Sequence, residues 1–146
     1  MTRSAPYVGA TMSAVLLRAG RRVRIRARGR SMMPAIADGE RLLVEPVRAE
    51  DLAVGHIVLC RRGTPLVAHR VLEVRRKDDG STVVAIRGDA PGERVEEVRA
   101  DDVLGRVVEI QHERGSRVPS RRVPRVRRAL RWIWRAAVAL RARGRA

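Results

Sequence analysis

Between Arg21 and Arg28 the chain alternates arginine with Val23, Ile25 and Ala27. A period of two marks a strand with one face buried and the other in water, so this stretch predicts a half-buried strand. Further apolar runs rich in Val and Ile predict strands over residues 41–44, 57–61, 66–75, 83–87 and 103–110. Arg61-Arg62-Gly63-Thr64-Pro65 and Arg75-Arg76-Lys77-Asp78-Asp79-Gly80 supply turns between them, and Pro46 to Val54 is a polar connection. Two segments have a helical rhythm instead. Residues 8–19 place Met12, Val15, Leu16 and Ala19 on one face and stop at Gly20. In the tail Leu130, Ile133, Trp134, Ala137 and Leu140 share a face, with Arg128, Arg131 and Arg135 opposite.

These elements predict a mainly β fold. One domain spans residues 21–112, preceded by a short helix or arm in 1–20 and followed by a linker in 113–125 and a basic amphipathic helix in 126–146. The length, 146 residues, suits one domain with extra termini, and an apolar content of 45% suffices for a core. Trp132, Trp134 and Tyr7 are the only aromatic residues, so that core must be built from Val, Leu, Ile and Ala. The linker, rich in Arg, Ser and Pro, is expected to be poorly ordered. Cys60 is the single cysteine, which excludes an internal disulfide and any multi-cysteine metal site.

Charge divides the chain in the same way. The net charge is +16, but residues 1–30 hold eight Arg and no acid, 31–113 hold twelve basic and sixteen acidic residues, and 114–146 hold twelve Arg and no acid. Phosphate-rich partners are therefore drawn to the ends rather than to the middle. Ser4 to Leu17 is uncharged but too short, and too rich in small polar residues, to cross a bilayer that needs about 20 apolar residues. About 15 residues of tail helix span only about 22 Å and carry internal arginines, so the helix suits lying along a membrane rather than crossing it. Peripheral contact with an anionic membrane through 126–146, or docking on the protein's own surface, fits it better than nucleic acid does. The expected location is cytoplasmic or peripheral to a membrane, with no transmembrane segment.

The candidate chemistry lies in the middle of the chain. Gly29-Arg30-Ser31-Met32-Met33-Pro34 follows the alternating strand, and Ser31 is placed where a sharp turn exposes a hydroxyl at the rim of a sheet. Pro34 suits the first turn of a short helix through Asp38, whose N-terminal amides could stabilise an oxyanion. His69, in Ala68-His69-Arg70-Val71, shares a strand face with Val67 and Val71, and Asp89 follows in Gly88-Asp89. The order Ser, His, Asp supplies an attacking oxygen, a base and an orienting carboxylate. Each also has a plainer use: Ser31 as a helix cap, His69 as a satisfied core histidine, Asp89 as the ligand of its own turn. Met32 and Met33 suit packing, and His56 suits a turn. No His/Cys/carboxylate cluster has metal-ligand spacing and no phosphate-binding loop is present, so neither a metal nor a nucleotide cofactor is indicated.

Taken together the motifs resemble the catalytic core of the signal peptidase superfamily, which includes type I signal peptidases and LexA-like self-cleaving repressors. The resemblance covers roughly residues 22–110. It rests on ordered boxes: Gly29 to Pro34 with Asp38-Gly39-Glu40, then Val54-Gly55-His56-Ile57-Val58-Leu59, Val67 to Val71, Ile86-Arg87-Gly88-Asp89, and Val103-Leu104-Gly105-Arg106-Val107-Val108. It implies a single catalytic β-domain and a serine endopeptidase that cuts a leader or precursor peptide after small residues. Ser31 is then the nucleophile, His69 the general base and Asp89 the third member, with Met32 at the substrate groove. A histidine base is the pattern of the ER-type and archaeal-type enzymes, to which the chain is most similar. Their third acidic residue lies a few positions downstream, which here falls among Glu93, Arg94, Val95 and Glu96.

The chain departs from the family at two points. His56 replaces the usual turn aspartate, and Gly29 stands where some bacterial members have an oxyanion-hole serine. The single lysine, Lys77, lies in a hairpin turn, where it stays solvated and charged, so a Ser/Lys dyad is not expected. A different class of reading remains open: a peptidase fold kept as a non-catalytic scaffold whose basic termini bind membrane or nucleic acid. A LexA-like self-cleaving regulator is disfavoured, because no lysine is placed for it and no DNA-binding domain precedes the core.

Overall fold

The alternating stretch becomes an edge strand. In the computed structural model, which describes residues 5–62 and 65–124, β1 (Val23–Arg26) pairs antiparallel with β2 (Arg41–Pro46), setting Val23 opposite Val44 and Ile25 opposite Leu42. The remaining strands are β3 (Ile57–Arg61), β4 (Leu66–Arg76), β5 (Thr82–Arg87), β6 (Glu96–Arg99), β7 (Val103–His112) and β8 (Gly115–Arg117). They form one antiparallel sheet in the order β1-β2-β7-β3-β4-β5-β6, with β8 on β7, curled into a half-barrel. The mainly β expectation is met.

Strand β3 explains why the sheet curls around two apolar clusters. Its side chains alternate, so Ile57 and Leu59 join Leu42, Val44, Val107 and Ile110 on one face, while Val58 and Cys60 join Val71, Val84 and Ile86 on the other. A strand covered on both sides reads as an unbroken apolar run, as Ile57-Val58-Leu59-Cys60 does. Burial also pushes the Cys60 thiol up to about 12, which leaves it inert.

The helix forms as α1, Ala5–Arg18, but its buried face differs from the expected one. Met12, Val15 and Leu16 are exposed, while Ala14 and Leu17 are buried and Ala10 and Ser13 line a groove beside β1. The spacing 10, 13, 14, 17 is equally helical, and its small side chains let the helix approach the sheet closely. The short helix expected from Pro34 to Asp38 is a run of turns instead, held by Met33 N–H to Arg30 O at 3.1 Å and Ile36 N–H to Met32 O at 2.9 Å. A residue that precedes proline is disfavoured in helical conformation, which works against a regular helix there.

The linker expected to be poorly ordered is tied to the sheet as far as Arg121. Its start is β8, and Arg117 reaches Glu40 at 2.8 Å. Further on, the Ser120 carbonyl accepts a hydrogen bond from Arg70 at 2.6 Å, and Arg121 passes so close to Gly55 that a side chain there would meet its carbonyl. The tail helix of 126–146 lies outside the described residues. Among the described residues no helix is long and apolar enough to cross a membrane.

Candidate functional site

Ser31 leaves β1 through a glycine that the turn requires. Gly29 has φ of +85°, a region that side-chain-bearing residues seldom enter. Its amide donates to Asp38 Oδ1 at 2.8 Å, closing the loop that carries the serine. Met32, next in sequence, is buried in the cluster beneath, which fixes the turn against the sheet. Ser31 itself is half-buried, and its amide donates to no backbone carbonyl among the described residues.

A second segment clamps the serine from the other side. The Ala90 amide donates to the Ser31 carbonyl at 2.9 Å. Gly88 approaches so near that a Cβ on it would lie 2.5 Å from the Ser31 oxygen and 2.8 Å from Glu93 Cγ. Glycine is therefore demanded at 88 by contact rather than by dihedral angle. Gly88 directly follows Arg87, whose register partner on β4 is Arg70; one step further along the two chains are Gly88 and His69.

His69 lies on β4 opposite Val58 of β3 and is 3% exposed. Its Nδ1 is buried without a hydrogen-bond partner. Desolvation holds the imidazole below its usual 6.5, while the charges of Glu96, Glu93 and Asp89 oppose that shift and Arg62 adds to it. The ring is thus neutral at pH 7 and able to accept a proton. It shares no hydrogen bond with the Ser31 hydroxyl in this structure; Ser31 is held by the Gly88–Ala90 segment, and His69 lies one residue before the first β4–β5 pair, Arg70 with Arg87.

Asp89 departs from the expected orienting role. Arg70 grips both of its oxygens, Nε to Oδ1 at 2.9 Å and Nη2 to Oδ2 at 2.7 Å, and both side chains are almost wholly buried. Arg70 also donates to the carbonyls of Gly55 and Ser120. Bidentate geometry of this kind fixes position strongly, so Asp89 anchors the segment that holds the Ser31 carbonyl rather than the imidazole. The sequence did not single out Arg70. The available signal was an arginine within a buried strand run, adjacent in sequence to His69, with an acid just past the neighbouring strand.

His56 takes the turn role expected of it, its Nδ1 accepting from the Ala53 amide at 3.2 Å. Lys77 sits in the β4–β5 hairpin, 3.8 Å from Glu97. Beside Ser31 a cavity of about 1040 Å³ opens between two strand segments. One wall is Arg24 to Gly29, the other Pro65 to Ala68, and Met32, Ile36, Leu42 and Leu59 form an apolar floor. β1 pairs only with β2, and β4 is joined by β5 only from Arg70 onward, so each wall presents an unpaired strand edge.

No protein-family model and no curated protein matches this sequence. What the site can do rests on its own chemistry: a hydroxyl on a constrained turn, a neutral buried imidazole nearby in the fold, and an apolar groove bordered by free backbone donors and acceptors.

Proposed function

We propose that this chain is a serine endopeptidase of the signal-peptidase kind, with Ser31 as nucleophile and His69 as general base. The observation that carries the reading is Ser31 on its constrained turn, held by the Ala90 amide and lining a groove with two free strand edges, with the buried imidazole of His69 one residue before the Arg70–Arg87 pair that leads into Gly88. An extended peptide adding to such an edge gains main-chain hydrogen bonds, and its alternate side chains enter the apolar floor, which suits small residues before the cut. Ser31 Oγ attacks the peptide carbonyl, and His69 takes its proton and returns it to the leaving amine. The amide of Ser31, which donates to no backbone carbonyl among the described residues, is available to hold the oxyanion. The substrate class is a leader or precursor peptide.

The engagement of Asp89 by Arg70 favours the second reading, a peptidase fold that has become a scaffold, because the imidazole then lacks an orienting carboxylate. A serine-acylating probe separates the two. Covalent labelling at Ser31 that disappears in Ser31→Ala and in His69→Ala supports the peptidase, with each single variant as inactive on peptide as the double, since residues acting as one unit do not lose activity additively. Turnover unchanged in either variant sinks it.

A further inference from the structure

The groove has a charged outer side that small-residue selection does not use. On β1 the side chains alternate: Val23 and Ile25 stand opposite Val44 and Leu42, in or against the core cluster, so Arg24 and Arg26 project to the other face and stay exposed. Arg28 continues the series past the strand and borders the same cavity. Other arginines of the described chain are tied up, among them Arg22 with Glu45, Arg62 with Glu96, Arg70 with Asp89 and Arg117 with Glu40. Arg24, Arg26 and Arg28 form no ion pair among the described residues; Glu109 on β7, which Gln111 and Ser116 already engage, feels the charge of Arg24, and Arg26 also borders a second cleft with Asp38, Glu40 and Glu113. Residues outside the described part contain no Asp or Glu.

Resting on the peptidase reading for the location of the groove, we infer that the peptide it takes is acidic at alternate positions, its small residues turned inward and its Asp or Glu residues turned outward onto Arg24, Arg26 and Arg28. The argument is one of phase. A peptide pairing with the free edge of β1 keeps the period of two, so the side chains beside Val23, Ile25 and Ala27 enter the groove and those between them lie across from the arginines. Opposite charges directly across a strand pair attract, and like charges repel. The six residues 23–28 present about 20 Å of edge, enough for three such pairs. A neutral peptide leaves this row uncompensated, and a basic one is repelled.

The test is binding to full-length Ser31→Ala, which needs no catalysis, read by fluorescence anisotropy in low salt. Three labelled peptides are compared: alternating Ala/Glu, alternating Ala/Gln, and one with the Ala/Glu composition but its glutamates in a single block. The alternating acidic peptide is expected to bind roughly tenfold more tightly than the Gln peptide, and the blocked peptide more weakly than the alternating one. Adding Arg24→Gln, Arg26→Gln and Arg28→Gln together should abolish the preference; these side chains are exposed and make no ion pair, so the fold is retained. Equal binding of blocked and alternating peptides means attraction to net charge only and overturns the inference, as does a preference that survives the triple change. Cleavage of the same peptides by wild type keeps the two ideas apart. Preferential binding without cleavage upholds the inference and sinks the peptidase, whereas cleavage without preference does the reverse.

Discussion

At the scale of single residues, the decisive quantity is the protonation of His69. Only the neutral ring can take the serine proton, and burial holds its pKa below the usual 6.5. For the proposed enzyme kcat/KM should therefore rise with pH through one ionisation centred below 6.5 and level off above it. A pH-rate profile on a fluorogenic peptide with Ala before the scissile bond measures this. A rise centred above about pH 8, where a lysine base would act, excludes His69. The two carboxylates that most strongly oppose the downward shift are Glu96 and Glu93, so Glu93→Gln should move the midpoint further down, not up.

At the scale of elements, the joint between β4 and the segment after β5 depends on one buried ion pair. Arg70 and Asp89 have side-chain exposures of 2% and 3%, and the pair is satisfied on both carboxylate oxygens. Removing one partner leaves a buried charge uncompensated, which typically costs about 3–5 kcal/mol. Asp89→Asn should accordingly lower stability by about that amount, measured by urea unfolding, and should reduce any activity through the displaced Ser31 turn. Replacing both partners, as Arg70→Met with Asp89→Leu, should recover much of the lost stability because no unpaired charge remains. If Asp89→Asn unfolds at the wild-type denaturant concentration, the pair is not the anchor described.

At the scale of the whole molecule, two buried histidines govern the response to mild acid. Burial lowers the folded pKa of both His56 and His69 relative to 6.5. On acidification the unfolded chain takes up these protons first. Stability is therefore full above 6.5, falls as pH drops below it, and levels off once the folded groups are protonated too. The urea midpoint should be lower at about pH 5.5 than at about pH 7.5, and His56→Asn, which keeps an acceptor for the Ala53 amide, should remove part of the difference. The basic tail makes a separate prediction. The chain should sediment with anionic vesicles in low salt and be released when residues 126–146 are deleted, since each basic residue near such a surface contributes about 1 kcal/mol. Equal sedimentation of the shortened chain excludes the tail as the contact.

The sequence by itself determined the strands β1 to β5 and β7, though not the short β6 and β8, and the glycine turn that carries Ser31. Period-two alternation and Val- and Ile-rich runs reflect local burial, and the requirement for glycine at 29 reflects a local dihedral, so both are written in neighbouring residues. The solvated hairpin position of Lys77 was legible for the same reason. The tertiary structure alone decided which face of α1 is buried, because Met12, Val15 and Leu16 match helical spacing as well as Ala10, Ala14 and Leu17, and only the closeness of the sheet favours the smaller set. It alone showed β8 and the chain through Ser120 pinned to Glu40 and Arg70, partners 77 and 50 positions away. It also gave Asp89 to Arg70 rather than to His69. A carboxylate in a buried setting goes to the donor whose geometry satisfies both oxygens, and that donor is supplied by a strand nineteen residues distant, which no local pattern around Asp89 specifies.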